Sequence, residues 1–191
     1  EDGAYTFKAY RTTDITHTAT VAPDNDDYNP LALNAEDFDI NAAYDTGLYR
    51  FTAGASGVYR IKTRLQLDTS GGVGTGEANF QAYIRHYDST GTLRAVGDVI
   101  IGSTGTVIYG YRMFTPNTFL GGVPYRNVVG GSSYTFEGDR LIVMQTGDYI
   151  VYRFSKVGAF GDVDYTIQGG SSETYMECTE NSLGSGTFQT G

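Results

Sequence analysis

Apolar and polar residues alternate with a period of two in this chain, and this pattern constrains the fold more than any other feature. In the segment Gly57–Leu67, odd-numbered positions from Tyr59 onward are apolar or threonine, and even-numbered positions are polar. A shift of one residue would bury Arg60, Lys62 and Arg64 together, so the pattern predicts a long, half-buried β-strand of fixed register. Helical periodicity is almost absent, which argues against helical and α/β folds.

The same alternation recurs along the chain between clusters of turn residues. Further strands are predicted at Ala4–Tyr10, Phe80–Tyr87, Asp98–Ile101, Thr106–Met113, Arg140–Met144, Tyr149–Phe154 and Ser172–Thr179. Glycine in clusters such as Asp88-Ser89-Thr90-Gly91 supplies the positive φ that tight turns need. About eight to ten short strands joined by glycine-rich turns predict an all-β sandwich or jelly roll.

Length and composition fit a single domain. The chain has 191 residues, with 16 tyrosines, 10 phenylalanines and 26 glycines. A chain of this size can bury a core without disulfide bonds. We expect one domain over residues 1–178 and a flexible tail over residues 179–191, which are rich in glycine, serine and threonine.

The charge balance excludes several classes of partner. The formal net charge is −9. Because duplex DNA and anionic membranes attract basic surfaces, we expect no nucleic-acid partner and no binding to anionic membranes. No run of the sequence approaches 18 apolar residues, so we expect no membrane insertion. Cys178 is the single cysteine of the sequence, which rules out an internal disulfide and a cysteine-based zinc site.

Two motifs carry a resemblance to a known family. The run Gly47-Leu48-Tyr49-Arg50-Phe51-Thr52-Ala53, followed by Gly57-Val58-Tyr59, is similar to the turn before a long strand in the signature of the complement C1q and tumour necrosis factor (C1q/TNF) family. The upstream Phe38-Asp39 and the downstream Leu141–Ile150 hairpin are similar to the family's elements in the same order. The resemblance covers residues 4–178.

This resemblance implies a jelly roll of about ten antiparallel strands that assembles as a homotrimer. It also implies a threefold interface that includes Tyr49, Tyr59 and Ile61. The loops rich in threonine, serine, glycine and asparagine, and the acidic composition, are closest in character to phage and virion members: fibre knobs, tail proteins and capsid decorations.

Candidate ligand-binding residues lie in loops. The segment from Phe114 to Ser133 is predicted to be a long loop, and loops of this length in compact domains are commonly functional. Its Phe119, Tyr125 and Arg126, together with Tyr28, are the candidates, because aromatic and arginine side chains dominate binding hot spots. The alternative is that they pack the loop onto its own sheet or onto a neighbouring subunit.

A calcium site is the candidate for bound metal, and no other cofactor is expected. Asp24, Asp26 and Asp27 form an acidic run, and calcium takes several carboxylate and carbonyl oxygens as ligands. The sequence lacks the continuation of an EF-hand. The alternative is a solvated acidic loop.

Catalysis is not expected. His86 falls on the apolar face of its predicted strand, and His17 falls in a threonine-rich loop, so neither indicates a catalytic triad. A glycan-acting hydrolase that uses paired carboxylates from Asp24–Asp27 or Glu36–Asp39 is the enzymatic alternative.

The sequence therefore predicts a non-enzymatic structural or adhesive module of a virion surface. Its loops would bind a host receptor, a host glycan or another virion protein. The alternative is a secreted, complement-like recognition or lectin domain.

Overall fold

The structure is a computed structural model that describes residues 6–17, 27–70, 76–101, 107–120, 123–157 and 163–181. These residues form sixteen β-strands. The strands are β1 Phe7–Tyr10, β2 Ile15–His17, β3 Asp27–Tyr28, β4 Ala35–Asp39, β5 Tyr44–Asp45, β6 Arg50–Thr52, β7 Gly57–Asp68, β8 Glu77–Tyr87, β9 Asp98–Ile101, β10 Val107–Arg112, β11 Thr118–Leu120, β12 Val123–Val129, β13 Ser133–Met144, β14 Tyr149–Val157, β15 Tyr165–Ile167 and β16 Tyr175–Asn181.

The first sheet is built around β7. Strand β13 pairs antiparallel with β7 over its whole length, from Gly57 opposite Met144 to Asp68 opposite Ser133. On the other side of β7 follow β16, β1 and β4, and β15 and β2 extend the sheet beside the far end of β7. Strand β13 therefore lies at an edge of this sheet within the described residues.

The second sheet is built around β8 and β14. These two strands pair antiparallel from Tyr87 opposite Tyr149 to Asn79 opposite Val157. Strands β6 and β3 pair with the other side of β14, and β12 and β10 pair with the other side of β8. Strands β5, β9 and β11 complete the sheet at its margins.

Aromatic residues from both sheets fill the core. The ring of Phe51 lies 5.0 Å from that of Phe7 and 5.3 Å from that of Tyr59. The ring of Phe154 likewise lies 5.3 Å from Phe80 and 5.4 Å from Phe136. Aromatic pairs at these separations add to the stability that burial of their apolar area supplies. The core thus lies between two antiparallel sheets, which is the jelly-roll sandwich that the sequence predicts.

The register predicted for β7 is confirmed. Tyr59, Ile61 and Leu65 are fully buried, whereas Arg60 is exposed on the opposite face. Strand β8 differs, because Gln81 and Tyr83 on its outward face are also buried. Alternation in the sequence therefore identifies the inner faces of β7 and β8, but it does not show that the outer face is solvated.

Two predicted boundaries are corrected. The segment from Phe114 to Ser133, expected to be a loop, contains the hairpin of β11 and β12, in which Thr118 lies opposite Tyr125. The last strand continues to Asn181 and pairs there with Val58 of β7, so the first residues of the expected tail lie in the sheet. The described part of the chain contains no helix that is long and apolar enough to cross a membrane.

Candidate functional site

The predicted ligand-binding residues on the β11–β12 hairpin differ in their exposure to solvent. Phe119 is 68% exposed and lies opposite Pro124, so it is available to a partner. Tyr125 is only 1% exposed, which corrects its assignment as a contact residue, because a buried ring offers no surface to a ligand. The guanidinium of Arg126 lies 5.5 Å from the centre of the Phe136 ring.

Arg126 and Tyr28 both contribute to packing within the chain. Arg126 also lies 5.8 Å from the Tyr134 ring and donates a hydrogen bond to the carbonyl of Thr115. Tyr28 belongs to β3, and its ring stacks on Phe154 at 6.4 Å. Of the four predicted residues, Phe119 is the one that the hairpin presents to solvent.

Two of the three predicted interface residues are corrected. Tyr59 and Ile61 are fully buried between the two sheets of their own chain, so they have no surface to offer a partner subunit. The Tyr59 hydroxyl donates a hydrogen bond to the carbonyl of Ala55 at 2.6 Å. Tyr49 is partly exposed and ends the turn before β6 with a φ of 52°. The face of β7 that is open to a partner carries Arg60 and its even-numbered neighbours.

The predicted calcium site lies largely outside the described residues. Asp24 and Asp26 are not among them, and Asp27 is described only as the first residue of β3, opposite Ser155. Among the residues that the structure does describe, no group of three potential metal ligands comes together. The calcium site stays a prediction.

Two of the carboxylates considered for a hydrolase have partners of their own. Asp37 forms an ion pair with Lys8 at 2.7 Å, and Asp39 accepts hydrogen bonds from the backbone amides of Ala43 and Tyr44. Glu36 is exposed, and its pKa is raised by partial burial and by the charge of Asp39. These groups stabilise a turn and a strand pair and do not converge on a shared cleft.

His86, Asp148 and Arg94 form a charged network at one end of the sandwich. His86 lies on β8, Asp148 on the turn between β13 and β14, and Arg94 on the connection between β8 and β9. The Asp148 carboxylate lies 2.9 Å from His86 Nε2 and accepts hydrogen bonds from Arg94 Nη2 at 2.7 Å and from the Gln145 amide at 3.0 Å. The network connects three separate segments.

Burial and charge decide the protonation of this network. Burial alone would raise the pKa of Asp148, but hydrogen bonds from Arg94, Gln145 and His86 outweigh it, and the pKa is lowered. For His86 the result is likewise a lowered pKa, because burial disfavours the charged imidazolium and this effect exceeds the opposing influence of Asp148. Near pH 7 the network is thus a neutral imidazole, a carboxylate and a guanidinium.

A cleft of about 400 Å³ opens beside this network. Its lining combines His86, Arg94 and Asp148 with the apolar or amphipathic side chains of Val96, Tyr111, Leu141 and Val143, and with Gln145. Leu141 and Val143 are 57% and 58% exposed, which is unusual for aliphatic residues on one face of a strand. None of the described residues that line the cleft is a serine, threonine or cysteine, so a His–Asp pair has no such hydroxyl or thiol to activate. The cleft thus places a buried charged network beside exposed aliphatic side chains.

The sequence alone does not indicate this cleft. It places His86 on an apolar face and Asp148 in a turn, and both positions are confirmed. The sequence does not indicate a role for Arg94, which lies in the irregular connection between β8 and β9. Only the fold brings that arginine to the carboxylate, 54 residues later in the sequence.

Similarity to known proteins is found at the level of structure. No protein-family model and no curated protein sequence gives a significant match. A chain in the structure of infectious bursal disease virus Gt strain aligns with 96% of this chain and 35% of its own length, at 10% identity and a TM-score of 0.51. Murine APRIL at pH 5.0 aligns over 94% of this chain and 100% of its own, at 6% identity and a TM-score of 0.50.

This chain has a C1q/TNF-like jelly-roll fold. The globular domain of zebrafish complement 1qA protein also aligns, over 93% of this chain and 96% of its own, at 11% identity and a TM-score of 0.46. The resemblance read from the Gly47–Tyr59 and Leu141–Ile150 motifs is confirmed for the fold. In this jelly roll, the first motif spans β6 and the start of β7, and the second joins β13 to β14.

Proposed function

We propose that this chain is a non-enzymatic module of a virion surface, such as a fibre knob, tail protein or capsid decoration. It would assemble as a homotrimer and present loops to a host receptor, a host glycan or another virion protein. The observation that carries the proposal is the C1q/TNF-like jelly roll combined with an exposed apolar patch at a sheet edge. We call this patch the β13 patch and define it as Val96, Leu141 and Val143.

The β13 patch supports assembly because it is suited to burial by a second copy. Leu141 and Val143 lie on the outer face of an edge strand, opposite Arg60 and Val58 of β7. Exposed apolar residues that cluster beside a cleft mark interaction surfaces more often than isolated ones do. Closed trimers cover such patches, and three copies multiply weak contacts with a receptor.

The viral branch is favoured by the aligned chain of infectious bursal disease virus. That alignment includes nearly all of this chain but about a third of the viral one, as expected for a domain that is one part of a larger structural protein. The exposed Phe119 at the β11–β12 hairpin is the contact residue that we assign to the loops.

A secreted recognition domain is the second candidate function. The full length of the murine APRIL chain in that structure aligns with this chain, which supports a fold that needs no larger surrounding chain. Both candidates place the protein outside cells or on a particle, and both depend on trimer assembly and loop contacts.

Paired variants test whether the β13 patch holds the trimer together. We expect the double variant Leu141→Asp/Val143→Asp to dissociate, because carboxylates would be forced into an apolar interface. The matched control is Ile40→Asp, which places a carboxylate at an exposed apolar residue on the turn after β4. Sedimentation velocity should show a trimer for the unmodified chain and the control, and a folded monomer for the double variant. A double variant that remains trimeric would contradict the assignment of this face.

A further inference from the structure

We propose that the outer face of the second sheet binds acidic sugars through a site that we call the Arg–Tyr platform, defined as Arg50, Arg85, Tyr87 and Tyr149. The site lies away from the hairpin that carries Phe119. It goes beyond the proposed function by naming a ligand class and a separate surface, and it does not require assembly into a trimer.

Three neighbouring strands place these side chains in two rows. Val151 of β14 lies opposite Arg50 of β6 on one side and opposite Arg85 of β8 on the other. The two arginine backbones are thus two strand spacings apart, about 10 Å. Tyr149 lies opposite Tyr87 in the next row on the same face. All four residues of the platform are partly exposed.

The platform is ordered by contacts among its own side chains. The rings of Tyr87 and Tyr149 stack 4.9 Å apart and are tilted by only 11°. The guanidinium of Arg50 lies 4.6 Å from the centre of the Tyr149 ring, and Arg85 Nη1 donates to the Tyr87 hydroxyl at 3.5 Å. Rigid aromatic and arginine groups lose little conformational entropy on binding, which favours their use in recognition.

Neither arginine of the platform has a carboxylate partner among the described residues. The sequence as a whole has 22 acidic and 13 basic residues. Other arginines do form ion pairs, namely Arg60 with Asp139, Arg64 with Glu137, Arg94 with Asp148 and Arg140 with Asp98. Arg50 and Arg85 therefore carry positive charges that no carboxylate of the described residues neutralises through an ion pair.

The carboxylate that strand pairing places opposite Arg50 forms hydrogen bonds with other groups. Asp45 of β5 lies opposite Arg50. Its carboxylate instead accepts hydrogen bonds from the backbone amides of Gly47 and Leu48, at 2.8 and 2.9 Å, and so stabilises the turn before β6. One oxygen of this carboxylate, Oδ1, is thus engaged by the turn, and Asp45 forms no ion pair with Arg50.

The chemistry of the platform matches a carboxylated or sulfated saccharide. A guanidinium binds a planar carboxylate through two parallel hydrogen bonds. The phenol groups of Tyr87 and Tyr149 can donate to and accept from sugar hydroxyls, and their ring edges offer apolar contact. A polyhydroxylated anion uses both kinds of group, whereas a simple inorganic anion uses only the arginines.

Titration calorimetry with defined saccharides tests this proposal. The probes are sialyllactose, trigalacturonate and a heparin tetrasaccharide, with lactose as the neutral control and sodium acetate at equal ionic strength as the simple anion. We expect at least one acidic saccharide to bind more tightly than lactose and acetate. The double variant Arg50→Gln/Arg85→Gln should then weaken that binding by about tenfold or more, because both charge-assisted contacts are lost.

Matched variants show whether a saccharide binds at the platform or elsewhere on the chain. Arg64→Gln removes an arginine from the first sheet and should leave binding within about twofold of the unmodified chain, a difference below about 0.5 kcal/mol. The proposal is overturned if none of the three acidic saccharides exceeds the two controls, if acetate binds equally well, or if the double variant binds like the unmodified chain. Loss of binding in Phe119→Ala alone would also overturn it, since the hairpin would then hold the ligand. Native mass measured on the same samples tests trimer assembly separately.

Discussion

His86 illustrates how position decides the role of a residue. The same imidazole could act as a base in an open cleft beside a nucleophile, but here it is buried and bonded to Asp148. Arg94 binds the same carboxylate from the solvent side, with 36% of its side chain exposed. The three groups hold the β8–β9 connection against the turn before β14. Their role is to stabilise one wall of the cleft beside the β13 patch.

Acidification should destabilise the protein through this network. Because burial lowers the pKa of His86, the unfolded chain binds its proton at a higher pH than the folded chain does. The contribution of His86 to stability is complete above the ordinary histidine pKa of about 6.5 and falls as the pH drops below it. Asp148, whose pKa is also lowered, continues the loss below about pH 4. Arg94 and Asp88 are the other charged groups that act on His86.

Urea unfolding at about pH 7.5 and about pH 5 measures this effect, since the two values lie on either side of the ordinary histidine pKa. The unmodified chain should have a lower midpoint at the acidic pH. In His86→Gln the side-chain amide can still donate to Asp148 but does not titrate, so its two midpoints should lie closer together. An equal pH dependence in both proteins would show that His86 does not contribute to it.

At the scale of elements, β13 of the first sheet packs against the end of β10, a strand of the second sheet. The Arg112 carbonyl accepts a hydrogen bond from Arg140 Nε, and the backbone of Met113 packs directly against Gly138. A Cβ atom built on Gly138 would lie 2.4 Å from Met113 Cα, closer than van der Waals contact allows. Glycine is therefore required where β13 crosses the end of β10.

Gly138→Ala should destabilise the fold by about 1–3 kcal/mol, because backbone on both sides must move to admit the methyl group. Gly57→Ala is the matched control, since its new Cβ would meet the Tyr59 ring at an ordinary 3.9 Å. Chemical denaturation of both variants measures the difference. Equal free energies of unfolding for the two variants would show that the contact with Met113 is not tight.

The sequence predicts individual elements unequally well. Strand β7 is predicted in detail because its alternating pattern extends over many residues and its outer face is polar from Arg60 to Asp68. The β11–β12 hairpin is not predicted because its strands are short and two prolines, Pro116 and Pro124, reduce the strand signal. The buried outer face of β8 is not predicted because burial there depends on tertiary contacts, such as Arg153 over the Tyr83 ring.

At the scale of the whole chain, the two sheets have different outer surfaces. The first sheet carries ion pairs such as Arg60–Asp139 and ends in the apolar residues of the β13 patch. The second sheet carries the Arg–Tyr platform. Assembly through the first sheet would leave the second facing outward in every copy. Such an arrangement presents three identical binding surfaces, which strengthens weak saccharide contacts by avidity.

The candidate sites are harder to predict from the sequence than the fold is, because they depend on contacts between residues that are far apart in the chain. The sequence motifs lead to the correct fold because turn residues and alternation are local signals. The interface residues that the resemblance implies, Tyr59 and Ile61, lie instead in the core of their own chain, because the resemblance names a strand but not which of its side chains point outward. The pairing of Arg94 with Asp148, and the engagement of Asp45 by its own turn and not by Arg50, become visible only in three dimensions.

Multi-angle light scattering over a dilution series into the micromolar range decides whether the chain assembles as a trimer. We expect a particle of three times 20.7 kDa that persists on dilution. The mass should be unchanged at moderate salt, because the proposed interface at the exposed Leu141 and Val143 is apolar and salt screens charges but not apolar burial. A stable monomer at micromolar concentration would contradict the trimer and would leave the β13 patch without its proposed occupant.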